Sequence, residues 1–97
     1  MCTYLTVRAN VEGSVKGPTG PWVRAREAIV YFDHPSHALA EHTVNVDFPV
    51  PGAQNGERVA LELTAQAARD LIAAMTAVLD SAPVTLTGLR LGQPIGE

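Results

Sequence analysis

The sequence has a single cysteine, Cys2, and so has no means of closing an intrachain disulfide. No apolar run approaches the ~18 residues of a membrane span, and no charged-then-apolar leader precedes the first strand-like segment. A cytoplasmic address is the expectation. Positive charge is sparse as well: seven Lys and Arg, scattered singly, face ten Asp and Glu. The net charge of -3 leaves no electrostatic footprint for a nucleic-acid backbone, and neither nucleic acid nor membrane is an expected partner. Aromatics are only 5% of the chain. Tyr4, Trp22, Tyr31, Phe32 and Phe48 all lie in its first half, so any large ligand-contacting ring belongs there.

Ninety-seven residues have room for one domain, and 46% hydrophobic with 18% charged residues is an ordinary globular composition. Residues 3–12 alternate, with Leu5, Val7 and Ala9 on one parity and Tyr4, Thr6 and Arg8 on the other, which predicts a half-buried strand. Three glycines and two prolines make 13–21 a loop. Residues 22–33 form a second strand, apolar on both parities from Ala28 to Phe32. A turn at Asp33-His34-Pro35-Ser36-His37 leads to a third strand over 42–48, and Asn55-Gly56 opens onto a fourth at Val59, Leu61 and Leu63.

Thr64 is a candidate N-cap for a helix over 65–80, where Ala68, Leu71, Ile72, Met75, Val78 and Leu79 recur at helical spacing until Pro83 stops the run. Residues 84–97 are an extended tail with room for a short fifth strand over 84–91. The expected class is therefore α+β, an antiparallel meander of four or five strands with one C-terminal helix packed on one face. A helix ~24 Å long and ~10 Å wide is too narrow to cover such a sheet on both sides. A homo-oligomer, most simply a dimer, is expected to cover the rest.

All three histidines fall in His34-x2-His37-x4-His42, flanked by Asp33 and Glu41. Imidazole titrates nearest neutral pH and ligates transition metals, so the cluster fits proton transfer or a metal site made of His34, His37 and His42. It also fits a merely structural polar turn. With no thiolate set and no obvious fourth ligand, a bound metal is not expected, and no cofactor is called for. Strand parity places Arg8, Asn45, Asp47, Arg58 and Glu62 on the face away from the helix, with Tyr4, Glu27, Ile29 and Tyr31 beside them. Such a face suits a small polar-aromatic ligand or ordinary solvation. Arg24 and Arg26 share a parity and fit an anionic substrate. Lys16-Gly17-Pro18-Thr19-Gly20-Pro21 is a turn rather than a phosphate cradle, because its prolines remove amide donors and no helix follows. Cys2 is a small packing residue rather than a nucleophile.

At Met1-Cys2-Thr3-Tyr4, at Gly13-Ser14-x-Lys16-Gly17, at Tyr31-Phe32-Asp33-His34-Pro35 with His37, and at Glu41-His42-Thr43-x-Asn45-x-Asp47-Phe48, the chain resembles a small actinobacterial family of unknown function. The likeness covers roughly residues 1–80. The family resemblance names no chemistry; the analogy with small cofactor-free cyclases and isomerases of antibiotic biosynthesis favours an enzyme performing acid/base chemistry on a small organic molecule. A ring closure of the Pictet-Spengler kind needs only an acid and a base. The expected catalytic residues are His34, His42 and Glu41 for proton transfer, with Asp33 orienting an imidazole. The expected substrate contacts are Tyr4, Tyr31, Asn45, Arg24 and Arg26. Metal binding and non-catalytic ligand binding are the alternatives.

Overall fold

A computed structural model describes residues 4–17, 19–53 and 55–87. The elements run β1 (Thr6–Val15), β2 (Val23–Asp33), β3 (Thr43–Pro49), β4 (Arg58–Leu63), α1 (Ala65–Ser81) and a helical turn α2 (Val84–Thr87). The strands form one antiparallel sheet in chain order, with the C-terminal helix packed against it at β3 and β4, an α+β fold. Two local expectations change. Gly13, Ser14 and Val15 continue β1 rather than opening the loop, paired with Ala25, Arg24 and Val23 beyond a bulge between Asn10 and Gly13. One extra residue in β1 absorbs the twist there, and a glycine is tolerated in a ladder beside such a bulge. Residues 84–87, where a fifth strand was expected to start, instead wind into α2, because Pro83 accepts the Leu86 amide into a helical turn. The remainder of that expected strand, the rest of the tail, Thr3 and Cys2 lie outside the described residues.

The register sorts the strands into two faces. Tyr31, Asn45 and Glu62 stand in one row across β2, β3 and β4, with Ile29, Asp47 and Ala60 in the next row of the same face. On the other face Val7, Val30, Val46 and Leu61 form a row across all four strands. Successive side chains of a strand alternate, so the sequence parities become these two faces. The β3–β4 connection holds a tight turn in which the Ala53 amide donates to the Val50 carbonyl, with Pro51 and then Gly52 at φ +82°. Pro at the second and a positive-φ glycine at the third position are what that turn geometry requires.

Thr64 alone separates β4 from α1, and its hydroxyl accepts from the Ala67 amide as the N-cap. Within the helix only Ala67 and Ala68 are half-buried; every residue from Arg69 to Ser81 is exposed. Ala25 and Ala28 are the only buried apolar side chains among the described residues. No helix among those residues is long and apolar enough to cross a membrane.

Candidate functional site

The site is built at the end of the sheet where β2 leaves and β3 enters. The connecting segment, residues 34–42, is anchored by Glu62 from β4, whose carboxylate accepts the backbone N–H groups of Ser36, His37 and Ala38, the last two at 3.0 Å. Those donors, Ser36 and Ala38 foremost, hold the Glu62 carboxyl below its ordinary value of 4.5. An open cleft of about 560 Å³ results, with His34, Ser36, His37 and Ala38 on its loop side. Tyr31, Asn45, Asp47, Arg58, Ala60, Leu61 and Glu62 line the sheet side.

Inside it the polar groups are linked. The Tyr31 hydroxyl donates to Asp47 Oδ2 at 3.1 Å, and Arg58 Nε lies 3.3 Å from Asp47 Oδ1. Burial, then the bond to Asp47, raises the Tyr31 phenol above its ordinary value of 10.0, so it stays protonated through the neutral range. Thr43 and Asn45 are the buried polar residues among those described, 0% and 4% exposed, and the Thr43 hydroxyl donates to Asn45 Oδ1 at 2.6 Å. With that oxygen engaged, the amide N–H₂ is what Asn45 offers the cleft.

His34 Nδ1 lies 2.9 Å from the Glu41 backbone carbonyl, while the His34 amide donates to Asp33 Oδ1 at 2.7 Å. A carbonyl only accepts, so Nδ1 carries the hydrogen and Nε2 is the basic nitrogen of the neutral ring. Three rings gather beside it. His34 and His42 have centroids 4.4 Å apart, Phe32 stacks on His42 at 5.5 Å, and Tyr4 lies 5.9 Å from Phe32. His42 Nε2 is buried and has no hydrogen-bond partner among the described residues, while Nδ1 lies 3.8 Å from Glu41 Oε1.

Of the residues expected from the sequence, the structure brings His34, Tyr31 and Asn45 to one cleft, with His37 at its rim. His42 and Tyr4 belong to the ring cluster next to it. Glu41 contributes its carbonyl to His34 and leaves its carboxylate exposed, and Asp33 Oδ1 accepts the His34 amide. Arg24 and Arg26 line a separate hollow with Val11, Glu12 and Gly13. Seven residues of strand, roughly 23 Å, separate Arg24 from Tyr31. His37 presents its amide to Glu62, and no group of three or more His, Cys, Asp or Glu among the described residues is placed to hold a metal ion. Asp47, Arg58 and Glu62 were visible by strand parity but not singled out as site residues. Ser36 and Ala38 carried no signal, since they enter only through backbone amides.

Searches of curated proteins and of solved structures find no match. The chain belongs to a family of unknown function (DUF6295), whose model matches residues 1–88.

Proposed function

We propose that the chain is a small cofactor-independent enzyme that holds a small organic molecule in the Tyr31–Arg58 cleft and performs acid/base chemistry on it. The observation that carries this reading is His34. It lines the cleft, and the Glu41 carbonyl sets its tautomer so that Nε2 is the proton acceptor. Arg58, about half exposed, supplies a positive group for an anionic or carbonyl oxygen, while Asp47 orients both Arg58 and Tyr31. Glu62 and Asp33 act as braces for the loop, not as proton carriers. The working unit in this reading is a homodimer, supported by the scarcity of buried apolar side chains among the described residues of one chain.

In a ring closure of the proposed kind, an arylethylamine condenses with an aldehyde, releasing water. The aryl carbon then attacks the iminium carbon, and His34 Nε2 takes the proton displaced from the ring. Tryptamine with acetaldehyde is the probe. We expect the protein to raise the rate of cyclisation by about 10² over buffer and His34→Ala to lose that gain, since positioned acid/base groups contribute on that scale. Amide shifts at Tyr31, Asp47 and Arg58 on tryptamine addition, with no acceleration, would instead identify a non-catalytic binding module that uses the same cleft. No shift and no acceleration would remove this substrate class.

A further inference from the structure

Helix α1 carries an apolar stripe of Leu71, Ile72, Met75, Val78 and Leu79, each 42–68% exposed, on a helix whose main contacts with the sheet are to β3 and β4. The opposite requirement exists on the sheet. On the Val7–Val30–Val46–Leu61 face no large apolar side chain among the described residues is fully buried, and Val7 on β1 is 47% exposed. A chain with these two surfaces would ordinarily fold one against the other. The junction works against it: Thr64 is the whole connection, whereas a strand-to-helix turn that lays a helix back across its own sheet usually takes ~2–6 residues. Short hinges of this kind favour exchange of the element between copies.

We infer that α1 of one chain lies on the β1–β2 half of the apolar face of a second copy, reciprocally, in a twofold helix-exchanged dimer. The inference rests on the homodimer reading and specifies its interface. The dimensions fit. Two helices ~10 Å wide, one per chain, match the coverage problem of strands spaced ~4.8 Å apart, since the chain's own helix makes its main contacts with β3 and β4. The stripe alone exposes roughly 500 Å², and the sheet face adds to it, against the ~800 Å² per partner of a standard stable interface. The stripe carries no charge; Gln66, Arg69, Asp70 and Asp80 lie off it, and Gln66 bonds Asp70.

The test places one cysteine on each surface in a Cys2→Ser background. A Val7→Cys chain and a Met75→Cys chain are refolded together and treated with a short bismaleimide. Both positions are exposed in the single chain, so neither substitution disturbs its packing. The expected result is a covalent species between the two chains, at twice 10.3 kDa, dependent on both cysteines. A Met75→Cys to Met75→Cys product alone, a dimer with no cross-link, or a Val7→Cys/Met75→Cys chain linked within itself would overturn the exchange and leave the homodimer reading standing. Light scattering of the unsubstituted protein at 10.3 kDa would overturn both.

Discussion

Tyr31, Asn45 and Glu62 form a row on one face of the sheet, and Val7, Val30, Val46 and Leu61 a row on the other. In the polar row each group has found a partner inside the chain: Tyr31 binds Asp47, Asn45 binds Thr43, and Glu62 binds three amides of the 34–42 loop. In the apolar row Val30 and Val46 are only half-buried and Val7 and Leu61 are exposed, and on α1 every residue from Arg69 to Ser81 is exposed. The difference follows from the range of the forces. A hydrogen bond is satisfied by one partner a few ångströms away, which a cross-strand neighbour or the next loop supplies. Burial of apolar surface needs a second layer, and one helix on a one-residue tether does not provide it. The polar face thus satisfies its hydrogen bonds within one chain, whereas the apolar stripe of α1 does not find burial there.

The sharpest way to break this contrast is Leu71→Ala. On a helix facing water the change would alter stability by no more than ~0.5 kcal/mol, but in a packed interface it costs ~2–5 kcal/mol. We expect the larger value, with an unfolding midpoint that rises with protein concentration, read by urea titration at two concentrations. On the polar face the largest effect belongs to Thr43→Val. It removes the hydroxyl bonded to Asn45 in a fully buried position, and denaturant titration should show a loss of ~1–3 kcal/mol.

A smaller effect separates the two faces by pH. The Glu62 carboxyl is depressed in the folded chain, so its contribution is complete above the ordinary value of 4.5 and is lost as pH falls from there through the folded value. Melting temperature should therefore decline through that acidic window in the unsubstituted protein and decline less in Glu62→Gln. The stripe of α1 has no titrating group and should impose no such slope.

Alternation at residues 42–48 and 58–63 reveals which side chains share a face, and it already grouped Asn45, Asp47, Arg58 and Glu62 opposite the aliphatic positions. The helix was equally legible, because Thr64 and Pro83 bound a run of 3.6-residue period. β1 was ended too early, at residue 12 instead of Val15, since glycine is a turn signal until a partner strand supplies its ladder, as Val23, Arg24 and Ala25 do. Within the histidine cluster, the side chains were legible as chemistry but not as roles. That His34 rather than His42 lines the cleft depends on how Glu62, more than twenty residues along the chain, draws down the loop.

By itself, the sequence determined the periodicities and hence the elements: four strands, one amphipathic helix, and the parity that separates polar from apolar side chains. These are local properties, set by steric preferences of neighbouring residues and by the repeat of each element. Only the tertiary structure decided that Asp47 would join Tyr31 to Arg58, that Glu41 would serve through its carbonyl, and that α1 would leave its stripe uncovered. Those outcomes depend on register between distant strands and on the reach of a single linking residue, quantities that no window of neighbouring residues contains.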